Sequence, residues 1–123
     1  MSAGGALQAA IVASLADAGL SGVFDGPPAR APYPCAAIDA GSEVDWSHKS
    51  GTGREVALAV TVWDDQPMRL RDLADAVEQR VAAVGLSGEW QLVSLRFTRR
   101  RIVHDVAGPW AAAIDFRARL LAS

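Results

Sequence analysis

Hydrophobic and polar positions divide the chain into a helix, a group of strands, a second helix and a second group of strands. Across residues 3–18, Leu7, Ile11 and Leu15 recur every four positions, with Ala10 and Ala18 on the same side. That stripe predicts a helix packed by one alanine-rich face. Gly19 suits the left-handed residue that stops such a helix, with Leu20 folding back on Leu15. Residues 21–34 are rich in glycine and proline. Val23–Asp25 fits a short edge strand there, and Pro27, Pro28, Pro32 and Pro34 then impose an extended path.

Cys35–Ala40 reads as a strand. A long polar, hairpin-like loop follows from Gly41 to Gly53, and Glu55–Trp63 is the best strand in the chain. Val56, Leu58, Val60 and Val62 point one way, and Ala57, Ala59, Thr61 and Trp63 the other. Both sets are largely apolar, which predicts a central strand covered on both faces. Residues 66–84 form the second helix. Asp65 is placed to cap it, Pro67 is tolerated in its first turn, and Leu70, Leu73, Val77, Val81 and Val84 make its buried stripe. Gly85 is placed to end it. Trp90–Thr98 and Trp110–Leu121 are the last long strands. Ile102–His104 continues the first of them before a turn at 105–109. The order predicts a single α+β domain over residues 1–123: a mostly antiparallel β-sheet with two helices packed on one face.

Composition narrows the possibilities without naming a function. Of 123 residues, half are apolar and 21% charged, enough to fold around one core. A net charge of -2 gives no overall attraction to nucleic acid or anionic membrane. Lys49 is the only lysine among twelve basic residues, and arginine is the better residue for fixed interface pairs. Cys35 is the single cysteine, so neither an internal disulfide nor a multi-thiolate metal site can form. Neither a leader pattern nor a run of about 20 apolar residues is evident, and the expected compartment is the cytoplasm.

Candidate chemistry is thin. Arg99, Arg100 and Arg101, extended by Arg96, form the sharpest charge cluster, fit for phosphate contact or for ion pairs with a neighbouring subunit. A strand alternates sides, so the three cannot all face one way. His48 and His104 lack a partner at metal-binding spacing, and His104 and Asp105 would point to opposite faces. Asp64 and Asp65, with Glu55 or Asp45, offer carboxylates for a divalent cation, though helix capping explains the pair more simply. Gly51-Thr52-Gly53 lacks the lysine and following helix of a phosphate loop. Trp46 either anchors a partner or folds back on its own sheet. The expectation is no enzyme, with no catalytic, cofactor or metal residue.

Six stretches together resemble a known family: Ala6-Leu-Gln-Ala-Ala-Ile, Val23-Phe-Asp-Gly-Pro-Pro, Ala31-Pro-Tyr-Pro-Cys, Asp45-Trp-Ser-His-Lys-Ser-Gly-Thr-Gly-Arg-Glu, Val60-Thr-Val-Trp and Phe116-Arg-Ala-Arg-Leu. The family is the DUF3168 tail-completion proteins of long-tailed phages, prophages and phage-derived gene transfer agents. The resemblance spans nearly the whole chain and is most specific from Asp45 to Trp63. It implies an α+β tail terminator: a homo-hexameric ring that caps the tail tube, stops its growth and joins it to the head connector. Implied partners are other copies of the chain, the tail tube protein and the connector or stopper, with DNA only in transit. Assembly would occur in the cytoplasm and the product would remain in the particle. Asp45, Trp46, His48, Lys49, Arg54, Arg99, Arg100 and Arg101 are the expected subunit or tube contacts, with Glu43, Asp45 and Asp64 supplying complementary charge.

Two other readings make separate demands. A small-molecule-binding domain or hydrolase would need Cys35 and His104 within hydrogen-bond reach. A DNA-binding module would use Arg96–Arg101 and show salt-sensitive affinity.

Overall fold

The structure, a computed structural model, describes residues 1–24 and 31–123. Its elements are α1 (Ala3–Ser14), β1 (Gly22–Phe24), β2 (Cys35–Asp45), β3 (Gly53–Asp64), α2 (Pro67–Ala82), β4 (Trp90–His104) and β5 (Trp110–Ala122). The strands form one sheet in the order β1-β2-β3-β5-β4. Every pairing is antiparallel except that of β1 with β2. Both helices cover the same sheet face, α1 over β2 and α2 over β3 and β5. The expected α+β class and two-layer arrangement are therefore observed.

Between the layers lies the core. Leu7 and Ile11 of α1, with Leu15 just beyond it, meet Leu70, Ala74, Val77 and Val81 of α2. Val56, Leu58, Val60 and Val62 of β3 and alternate residues of β5 from Ala112 to Leu120 complete it. Full burial of each large aliphatic side chain contributes about 1.5–3 kcal/mol.

Several boundaries differ from the sequence expectation. The regular part of α1 stops at Ser14 rather than 18. Ser14 Oγ donates to the Ile11 carbonyl (2.8 Å), and residues 16–18 tighten into i→i−3 bonds. Gly19 does take a positive φ of 86°. Asp25, Pro27 and Pro28 lie outside the described residues, so only Gly22–Phe24 of the expected edge strand is placed. The first part of the predicted long loop, Gly41–Asp45, is strand, and the turn between strands is confined to residues 46–52. Beyond a register shift between Asp39 and Ser42, β2 continues to Asp45, opposite Arg54. The polar character that suggested a loop reflects exposure, since the residues from Gly41 to Asp45 all face solvent.

β3 is central but covered on one face only. Its even-numbered residues from Val56 to Asp64 are buried beneath the helices, whereas Ala57 is exposed and Ala59 and Thr61 only partly covered. Small residues there indicated a second covering layer that the described residues do not supply. Asp65 does not cap α2 either. The N-cap residue is Gln66, which makes no side-chain cap bond, and Asp64 accepts from its backbone N–H (3.3 Å) instead. Gly85 is not the left-handed residue after α2; Gly88 is, at φ 102°.

β4 is one strand of fifteen residues. Register shifts between Leu92 and Ser94 and between Phe97 and Arg99 insert Val93 and Thr98 as extra residues. Each insertion flips which residues face the helices. Leu92, Leu95, Phe97, Arg100 and Ile102 share rows with helix-side residues of β5 despite their uneven spacing.

Candidate assembly interface

The uncovered sheet face is built by register. One row runs Asp39–Ala59–Asp115–Arg99 across β2, β3, β5 and β4, and the next runs Ser42–Ala57–Arg117–Arg96. On either side lie Val44–Glu55–Arg119–Ser94 and Ala37–Thr61–Ala113–Arg101. Five arginines therefore stand on this face with three acids, Asp39, Glu55 and Asp115, a local net charge of +2.

Pairing among them is uneven. Glu55 serves both Arg119 (3.0 Å) and Arg117 (3.5 Å), and Asp115 lies 3.6 Å from Arg99. Arg96 and Arg101 have no ion pair among the described residues. The alanines of β3 leave a depression of about 490 Å³ between Asp39 and Ser42 on one side and Thr98 and Arg117 on the other. Beside it, a hollow of about 250 Å³ is bounded by Arg96, Arg117 and Arg119, with Ser94 and Thr98.

The predicted arginine triplet separates. Arg99 and Arg101 face the open side, whereas Arg100 turns toward the helices and binds Glu78 and Asp75 of α2, the latter at 2.8 Å. The second inserted residue, Thr98, causes this arrangement: unbroken alternation from Phe97 would place Arg99 toward the helices. Sequence reasoning missed Arg117, Arg119, Asp39 and Asp115 as members of this face. Alternating polar positions in β5 carried the signal, but the register to β4 is needed to join them.

The β2–β3 hairpin tip is well tied. Trp46 N donates to Gly53 O (2.9 Å), His48 and Gly51 exchange backbone bonds, and Ala122 N donates to Thr52 O. Ser47 Oγ donates to Asp45 (2.6 Å) and accepts from Gly53 N (3.1 Å). Arg54 lies 3.9 Å from Asp45, and Lys49 is exposed at the turn. Trp46 folds back: its ring meets His48 edge-on at 4.6 Å, and Arg119 lies 5.3 Å above it. Gly53 is required by close approach, because a Cβ there would stand 2.3 Å from the Trp46 carbonyl oxygen.

Other sequence candidates are held elsewhere. Asp64 is fully buried and bound by Arg69 through two 2.6 Å hydrogen bonds, so it offers no charge to a partner. Those bonds hold its carboxyl below the usual range despite burial. Glu55 stands nine residues away, about 30 Å along the strand and on the opposite face, which removes the shared-cation reading. Cys35 is buried; burial, then the Asp64 charge, raises its thiol pKa, the reverse of nucleophile activation. His104 stacks flat on Trp110 at 3.9 Å. Two strands separate β2 from β4, placing Cys35 about 14 Å from that end of β4, so the proposed pair is not brought together.

What the fold exposes is a charged sheet face and a tied hairpin; its buried charges are consumed by internal pairing. The chain belongs to the tail completion protein gp17 family, whose model matches residues 5–121. It is similar to a chain in the virion of a native gene transfer agent particle, with 25% identity and a TM-score of 0.71, covering 95% of this chain and 96% of that one. The gp17 protein of bacteriophage SPP1 shares the fold, with 21% identity and a TM-score of 0.62 over 94% and 89% of the two chains. No curated protein matches.

Proposed function

We propose that the protein is a tail terminator: a single-domain subunit of a hexameric ring that caps the tail tube and joins it to the head connector. The observation that carries this reading is the likeness in fold to a chain of a gene transfer agent virion, since it extends over both chains almost end to end. The charged sheet face and the helix layer are different surfaces on opposite sides of the subunit, and head-to-tail association requires two different patches. Catalysis plays no part in this role.

In this reading the hairpin residues Asp45, Trp46, His48, Lys49 and Arg54 meet the tube or a neighbouring subunit. Arg99 and Arg101 act from the sheet face, and Arg100 contributes by fixing α2 against β4. Partners are further copies, the tube protein and the connector or stopper, with DNA only passing through. Subunits assemble in the cytoplasm and remain in the particle.

The test is light scattering after size exclusion, followed by addition of purified tail tubes and electron microscopy of their ends. Six-fold rings, free or on tube ends, are expected. Persistent monomers that leave tube ends bare would refute the assignment.

A further inference from the structure

Arg96 and Arg117 are direct cross-strand partners, and like charges so placed destabilise a sheet. Arg119 closes the same hollow, yet the nearby carboxylate, Glu55, is taken by Arg117 and Arg119. The isolated subunit thus holds a three-guanidinium hollow short of acid, with the Ser94 hydroxyl on its wall; the Thr98 hydroxyl there already donates to the Asp115 carbonyl (3.0 Å). Arginine forks with a hydroxyl beside them suit a carboxylate.

The opposite side of the molecule carries a matching group. On α2, Met68 and Asp72 are one turn apart and point away from the core stripe of Leu70, Ala74, Val77 and Val81. Met68 is 73% exposed, and Asp72 has no ion pair among the described residues. The two recesses on the sheet face are neighbours that share Thr98 and Arg117, and the larger is floored by alanines.

We propose that the arginine hollow is a carboxylate receptor for Asp72 of a second copy, with that copy's Met68 seated in the adjoining depression above Ala57 and Ala59. This rests on the terminator reading and assigns its subunit contact. The pairing is heterologous, so each copy retains an unused helix face and an unused sheet face until the assembly closes. DNA phosphate fits the face less well, because Asp39, Glu55 and Asp115 stand among the arginines.

The experiment compares the full chain with Arg96→Asp, Asp72→Arg and the double variant, scoring self-association by light scattering and ring formation on tail tubes. Each single variant should weaken association roughly 30-fold, as expected for truncating a desolvated charge pair. The double variant should recover most of it. Unchanged melting temperature in the single variants shows that folding is intact, since both side chains are exposed. Wild-type rings with undisturbed single variants, or no rescue in the double variant, overturn this contact and leave the ring reading standing. Absence of wild-type rings, free or on tubes, overturns both. Salt-sensitive DNA binding lost in Arg96→Asp, with association unchanged, assigns the hollow to phosphate instead.

Discussion

Arg69→Ala should cost the protein about 2–3 kcal/mol of folding stability. Asp64 has 0% exposure and receives two 2.6 Å hydrogen bonds from Arg69, supplemented by the Gln66 N–H at 3.3 Å. Removing one member of a fully buried ion pair costs about 3–5 kcal/mol, because the other charge is stranded. Here the Arg69 side chain is 41% exposed, so water partly replaces it and the expected loss is smaller. For a chain of this size that lowers the melting temperature by roughly 10 °C. Urea denaturation followed by tryptophan fluorescence reads the loss directly. Arg69→Lys should fall between wild type and alanine, since it keeps the charge and loses the two-pronged geometry.

The pH dependence supplies an independent signature. The Asp64 carboxyl is held below its usual range, chiefly by Arg69. Its contribution is therefore complete above about pH 4, the ordinary aspartate value, and disappears as pH falls through the lower native one. Without Arg69, burial acts to raise the native value, so the share of the acid limb that Asp64 supplies disappears and its stability is instead lost as pH rises through the raised native value. A stability change below about 0.5 kcal/mol in Arg69→Ala, with an unshifted acid limb, would show that the pair does not hold the β3–α2 junction.

Further outcomes follow from other contacts. Gly53→Ala places a methyl 2.3 Å from the Trp46 carbonyl oxygen, so it should destabilise by about 2 kcal/mol and increase hydrogen exchange at the hairpin; wild-type behaviour in both would contradict the close approach. Arg80 donates to the Ser14 carbonyl (3.2 Å) and to Asp17 (2.5 Å), and Arg80→Ala should loosen the end of α1 at a cost of about 1 kcal/mol by denaturant titration. Cys35, 2% exposed with a raised thiol pKa, should react with a thiol reagent only in denaturant; rapid labelling of the folded protein at pH 7 would refute its placement.

Where local pattern and packing agree, the chain could be read directly. β3, β5 and the core stripe of α2 declare themselves by strict periods of two and about three and a half. β4 could not be read this way, because its helix-side residues are spaced three, two, three and two apart. Only the two inserted residues reconcile them with a strand. The hairpin misled for another reason: exposed strand and loop have similar composition, and pairing across the register decides between them. Arginines in the triplet were legible as charge, but their division between two faces depends on Thr98. The sheet-face cluster was less legible still, since it draws one residue at a time from four strands and no stretch of sequence contains it.

The outermost position of β4 has a consequence for handling the protein. A fifteen-residue border strand displays unpaired backbone groups along its free side, and the side chains of Val93, Phe97 and Val103 on it are about half exposed. Such a margin invites indiscriminate strand addition and fibrous precipitation. The two bulges break its flatness, and Arg96, Arg99 and Arg101 surround it with charge that repels an identical margin. Mild acid leaves these arginines charged, whereas concentrated salt screens them. Solutions of the subunit should therefore clear at low ionic strength and cloud as salt rises.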